Sequence, residues 1–196
     1  MVKKIIIRKF KLMKIKCVLK NILYRIRGDY TTEKLIKIGM KVGKNFKRLH
    51  GVILDPAHCW LITIGDNVTM APNVHILAHD ASTCCELGYA KIGRVNIGNN
   101  VFIGASTIVL PNVTIGDNVI IGAGAVVTKN LESDGVYAGN PAKRIMSYSE
   151  YINKQKEIFK NNPVYEEEYT LRNKNITKEQ KEEMYNNLLE KSGFVK

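Results

Sequence analysis

The sequence predicts a mainly β protein, a parallel β-helix of six-residue repeats with a helix before the coils and helices after them. Three observations carry this. Residues 97–132 divide into IGNNVF, IGASTI, VLPNVT, IGDNVI, IGAGAV and VTKNLE, which puts Ile97, Ile103, Val109, Ile115, Ile121 and Val127 in one column. Neither a helix period near 3.6 nor a strand period of 2 yields a strict period of six. The sixes also pair at a spacing of 18 residues, IGNNVF with IGDNVI and IGASTI with IGAGAV. Three sixes therefore make one turn of a three-sided coil, and successive coils pair as parallel strands about 4.8 Å apart. Finally, IGDNVT-MAPNVH-ILAHDA at 64–81 repeats the same frame.

The 196 residues suffice for one sizeable core, and the formal net charge is +12. That charge is uneven: ten Lys/Arg and no Asp/Glu lie in residues 1–27, and the rest nearly balances. A nucleic-acid partner for the whole chain is therefore not expected. Cys17, Cys59, Cys84 and Cys85 form no CxxC, and two are adjacent, so neither a disulfide framework nor a cysteine metal site is expected. With no secretory signal pattern, this points to a reducing cytoplasm.

Taken in order, residues 1–30 form a basic segment whose Ile15, Leu19, Ile22 and Ile26 follow helical spacing. It reads either as a cap on the first coil or as an amphipathic helix resting on an anionic membrane surface at its inner face. The β-helix is expected over 36–146, ragged until Ile64 and interrupted by a loop at 82–91, STCCELGYAK. Residues 147–196 read as a helical extension. Ser147-x-x-Glu150 and Thr177-x-x-Gln180 resemble capping boxes, and Gly193 is the expected stop of the second helix.

One column holds the most informative substitution. His79 occupies the fourth position of the third six, where Asn112 and Asn130 stand in later coils. Asn suits a tight turn there; a histidine replaces it once, just before the loop. One coil earlier, DPAHCWLI breaks the pattern with Asp55, His58 and Trp60, which stacking would bring near His79.

Together AHDAS, the loop, the run from Ile97 to Asn130 and GNPAKRI resemble the hexapeptide-repeat acyltransferases of the sugar and polysaccharide O-acetyltransferase type. The resemblance covers roughly 50–146 and implies a left-handed coil, a homotrimer and an acetyl-CoA donor. It carries the family's general base onto His79. A neutral imidazole suits the task, because it takes a hydroxyl proton near neutral pH as the oxygen attacks the thioester. Asp80 is expected either to orient the imidazole or to cap the turn. Asp55 and Trp60 are expected to hold an acceptor sugar by a carboxylate and an aromatic face, with irregular core packing as the alternative. His58 is a second choice of base.

For the donor, the resemblance implies contacts along the pantetheine arm at Ala105, Ala123 and Thr128-Lys129, and charge-assisted bonds from Lys129, Lys143 and Arg144 toward the CoA phosphates. A backbone N–H of the Gly104–Ala105 turn is the expected oxyanion donor. No metal is required on this reading. Other readings are N-acetylation of an amino sugar nucleotide, a non-catalytic repeat scaffold, and a γ-type carbonic anhydrase drawing zinc ligands from His50, His58, His75 and His79. Against the last, His75 and His79 are separated by three residues where that family's pair has four between.

Overall fold

A computed structural model describes residues 30–173 and 175–196. The basic helix expected within residues 1–30 lies outside the described residues, apart from Tyr30. The chain forms two compact units, divided between Tyr148 and Ser149.

The first unit opens with helix α1, Thr32–Ile38. Thr31 caps it by accepting from the Lys34 amide at 3.2 Å, and Gly39 ends it at φ 131°. Sequence patterning did not anticipate this helix. Its Leu35 is fully buried in the core cluster, so α1 covers the apolar end of the first coil.

The coils are three-sided, and every rung between them is parallel. One face stacks Lys41–Val42, Ile62–Ile64, Val95–Ile97 and Val113–Ile115. The second stacks Lys47–Arg48, Thr69–Met70, Phe102–Ile103, Val119–Ile121 and Gly135–Ala138. The third stacks Ile53–Leu54, His75–Ile76, Ile108–Val109 and Val126–Val127. Phe102 pairs with Ile120 and Ile108 with Val126, which is the 18-residue period seen as register. Across the loop, Ile64 pairs with Ile97, so the excursion leaves the frame intact.

The repeat columns explain the core. Ile97, Ile103, Val109, Ile115, Ile121 and Val127 point inward and are 3% exposed or less. Each such side chain gains about 1.5–3 kcal/mol on burial, so the column is the main source of stability. The fifth position of each six, from Val101 to Leu131, is buried too, and its polar member Thr107 donates its hydroxyl to the Gly122 carbonyl at 3.1 Å. At one corner Asn67, Asn100 and Asn118 adopt φ of 54–56°. Their side-chain amides bond coil to coil at 3.0 Å, which satisfies the turn and fixes the register. Gly104 is required by close approach: a Cβ there would lie 2.5 Å from the Ala123 amide nitrogen.

Beyond the coils, Lys143–Ser147 returns antiparallel to Gly135–Ala138. The expected loop proves to be ordered. His79–Asp80 and Lys91–Ile92 pair as an antiparallel hairpin that carries the single turn α2, Cys84–Leu87.

The second unit contains helix α3, Tyr148–Asn161, which begins in the first, and helix α4, Lys178–Asn187. The Thr177–Gln180 capping box is present in both directions, at 3.2 and 2.9 Å. Two expectations are corrected here. The extension is not wholly helical, because Val164–Tyr165 and Phe194–Val195 form a small parallel ladder. Gly193 does not stop α4, which ends at Asn187 with Leu188 as its cap residue. Paired Asn186 and Asn187 are weak helix formers, and Gly193 instead leads into the ladder strand, packed against Leu188 and the Pro163 carbonyl. No helix among the described residues is long and apolar enough to cross a membrane.

Candidate active site

The site is built where two coils meet the hairpin. On the third face Ile53 pairs with His75 and Leu54 with Ile76, so Asp55 follows one coil below the residues leading to His79. Beyond this point the paths diverge. His79 enters the hairpin opposite Ile92, while the lower coil turns through Pro56 and a 3-10 turn at Cys59–Leu61. The departing chain opens the corner, and the side chains of both coils fill it.

Asp55 is 1% exposed, and its Oδ2 lies 2.5 Å from His79 Nδ1. The same Oδ2 accepts the Ala78 amide at 2.9 Å, and Oδ1 accepts the Ala57 amide at 3.0 Å. Burial by itself would raise the Asp55 pKa. The bonds from His79 and from the Ala78 and Ala57 amides, with the attraction of the imidazole, outweigh it and hold the carboxyl below its ordinary value. An ionised carboxylate only accepts, so Nδ1 of His79 carries the proton and donates it. Its Nε2 is left with a lone pair on a side chain 37% exposed. This is the arrangement of a held imidazole with a free basic nitrogen.

One expected role changes, and one is decided between its two alternatives. Asp55 does not face an acceptor, because its carboxylate is enclosed and its oxygens are engaged by His79 and two amides. Asp80 does not orient the imidazole: it is exposed and its Oδ1 accepts the Ser82 amide at 2.9 Å, capping the turn into the loop. That same amide chiefly holds its pKa below the ordinary carboxylate value. The sequence signal for the Asp55–His79 contact was the rung pairing of VILD with VHIL, which the ragged early repeats obscured.

His58 and Trp60 complete the wall. The His58 ring lies 5.3 Å from that of His79 and 5.4 Å from that of Trp60, and Trp60 is 52% exposed. Trp60 is therefore not a core residue; it offers an exposed aromatic face beside His58. Asp55, His58 and His79 each contribute a ligand-type atom within 4.8 Å of the others, the only such group of three among the described residues. His50 and His75 are not part of it, so the chain by itself does not gather a three-histidine zinc site.

On the donor side, Ala105 and Ala123 stack in adjacent coils, where the Gly124 amide bonds the Ala105 carbonyl at 2.8 Å. Ala123, Thr128, Lys129, Lys143 and Arg144 are exposed. The Ala142 amide bonds the Val126 carbonyl at 2.8 Å, which ties the segment just before Lys143 and Arg144 to the last coil, and Arg144 Nη2 donates to the Asp134 carbonyl at 3.1 Å. The Gly104 amide is committed to the Ile121 carbonyl at 2.8 Å and does not serve as an oxyanion donor. Cys84 and Cys85 are exposed on α2, and Cys59 is buried with burial pushing its thiol up.

Residues 94–129 match the bacterial transferase hexapeptide model of six repeats. Protein CapG of Staphylococcus aureus is 39% identical over 143 residues, 69% of this chain and 81% of that protein. The chain belongs to the hexapeptide-repeat transferase family. Its coil is accordingly of the left-handed kind, against the usual right-handed preference of crossover connections. Among solved structures, a maltose O-acetyltransferase from Clostridium difficile 630 is similar at 42% identity and a TM-score of 0.50, over 56% of this chain and 59% of that one. A hexapeptide-repeat-containing acetyltransferase from Vibrio cholerae O1 biovar eltor, solved with acetyl coenzyme A, is 25% identical with a TM-score of 0.50, over 56% and 61%. The chain thus spans about three-fifths of each of these two structures.

Proposed function

We propose that this chain transfers the acetyl group of acetyl-CoA to a hydroxyl of a sugar or surface-polysaccharide precursor. The observation that carries the reading is the Asp55–His79 pair, which engages Nδ1 and leaves Nε2 of a partly exposed imidazole for a proton, with His58 packed between that ring and the exposed Trp60. His79 Nε2 takes the hydroxyl proton as the oxygen attacks the thioester carbonyl. The C–S bond then breaks, CoA leaves as the thiolate, and the proton returns from His79 to the sulfur. Asp55 holds the ring and its tautomer and stabilises the imidazolium that forms. The Ala105 amide is the remaining choice for the oxyanion. A sugar ring lays its apolar C–H face on Trp60, as amphipathic rings do on an exposed indole. Nothing in this step calls for a metal.

The relatives named above support the donor and the acceptor class. The test is a screen of acetyl-CoA against mono- and oligosaccharides and nucleotide sugars, reading released thiol. Turnover with a sugar hydroxyl is expected. Turnover only with amines, or none with any acceptor while acetyl-CoA binds, would overturn the acceptor class.

We place the CoA arm along Ala105 and Ala123, in a groove shared between copies in a homotrimer. Its phosphates meet Lys143 and Arg144 by charge-assisted bonds. The double substitution Lys143→Ala with Arg144→Ala is expected to raise KM for acetyl-CoA more than it lowers kcat, since these contacts lie far from the reacting carbonyl. The difference should shrink at high salt. An equal loss with dephospho-CoA donors would remove the 3′-phosphate from this contact, and a one-chain mass by light scattering would remove the shared groove.

A further inference from the structure

Asp55, His58 and His79 supply one carboxylate oxygen and two imidazole nitrogens, each within 4.8 Å of the others. This is the donor set of three-ligand zinc sites, which keep a fourth position open. Zinc–nitrogen and zinc–oxygen bonds near 2.0–2.2 Å put neighbouring ligand atoms about 3.3 Å apart on a tetrahedron. The trio therefore closes onto an ion by side-chain movements of about an ångström, without unfolding a coil.

Two features suit the residues to that role. The Nδ1 of His58 is buried and has no hydrogen-bond partner, so turning this ring toward an ion breaks no bond at that nitrogen. An orphaned buried nitrogen costs about 1–3 kcal/mol, which leaves the ring poorly committed to its present orientation. Asp55, in contrast, is gripped by the Ala57 and Ala78 amides, and such outer hydrogen bonds hold a ligating carboxylate in place. Cys59, the nearest thiol in sequence, is buried with its Sγ 3.7 Å from the Leu35 carbonyl and takes no part.

We propose that Asp55, His58 and His79 bind a zinc ion, and that this ion switches the acyltransferase off. The inference rests on His79 being the base. Whichever nitrogen of His79 the ion takes, the base is lost. On Nε2 it occupies the lone pair that receives the hydroxyl proton. On Nδ1 it displaces the proton to Nε2, which then has no lone pair to offer. No redox change or further reactant is involved. The ion is an inhibitor of this site, and His58 is the residue that makes the site selective for it.

The experiment uses the full chain after chelator treatment, with zinc chloride and cobalt(II) chloride as probes. Calorimetry is expected to show one zinc per chain, and cobalt to give the visible bands of a four-coordinate ion. Acetyl transfer should fall in step with occupancy and return with EDTA. His58→Gln should weaken zinc binding at least about tenfold and relieve the inhibition of whatever activity that variant retains. His50→Gln and His75→Gln should bind zinc like the parent. Zinc binding unchanged in His58→Gln, or equally weakened in His50→Gln, would overturn the proposal, as would full occupancy with undiminished transfer. Calorimetry and cobalt spectra do not depend on the acceptor, so a failed acceptor class and a failed metal site give different results.

Discussion

His79→Ala is expected to lower kcat for acetyl transfer at least about a hundredfold while acetyl-CoA binding stays nearly unchanged. A positioned general base contributes about 10²–10⁴ in rate. A sugar hydroxyl is almost wholly protonated at neutral pH, so attack without proton removal is slow. His79 is partly exposed, and its Nδ1 is already spent on Asp55, which leaves Nε2 for the proton. The side chain is 37% exposed, so its loss leaves no large cavity. Asp55 keeps both backbone amides in the variant, and the coil should fold. The measurement is steady-state kinetics with calorimetric binding of acetyl-CoA and a melting curve. Turnover near wild type in a folded variant would remove His79 from the chemistry and leave His58 as the base to test.

The second large effect is expected from Asp55→Asn, which replaces one carboxylate oxygen by NH₂ and keeps the side chain's shape. Oδ1 accepts from Ala57, and Oδ2 accepts from both Ala78 and His79. An amide cannot satisfy this set. With its oxygen at the Oδ2 position, its NH₂ is set against the Ala57 N–H. In the other orientation the NH₂ faces the Ala78 N–H and drives the proton of His79 from Nδ1 to Nε2. The first orientation loses the charge that steadies the imidazolium; the second removes the base. Either leaves a buried donor unpaired, at about 1–3 kcal/mol. We expect kcat to fall at least tenfold, with KM for acetyl-CoA unchanged and a lower melting temperature. A merely structural Asp55 would lower the melting temperature and leave kcat alone, and that outcome would end its positioning role.

The same carboxylate sets a pH dependence of stability. Burial opposes its ionisation, and the bonds from His79, Ala78 and Ala57 overcome it, so its folded pKa lies below the unfolded one. A depressed carboxylate stabilises the fold above its unfolded pKa and loses that contribution as pH falls through the folded value. Acid should therefore erode the wild type over that range and affect Asp55→Asn less.

Most of the coil was legible because its determinants are local. A branched residue every six positions, glycine where coils touch and Asn where a corner needs positive φ each act within one turn. Repetition turned those local preferences into register, down to Ile64 against Ile97 across the loop. Helix α1 was not legible. Its seven residues are too few for a clear period, and only Leu35 is buried. The end of α4 was missed because a glycine signals a stop only when it stands next to the last turn.

At the site, the sequence by itself marked His79 as the odd residue of its column and Asp55, His58 and Trp60 as the odd residues one coil below. Their roles relative to one another were decided only by the tertiary structure. Asp55 and His79 lie 24 residues apart, and their contact depends on two coils diverging at the same corner. The direction of a side chain at that divergence follows from the turn through Pro56 and the hairpin at Ile92, neither of which keeps the six-residue period. Asp80 adjoins His79 in sequence but spends its carboxylate on Ser82, because a residue at a loop entry finds its nearest free amide in its own turn. The periodic residues were fixed by a rule each obeys alone; the candidate site lies where the rule lapses and only packing decides which group meets which.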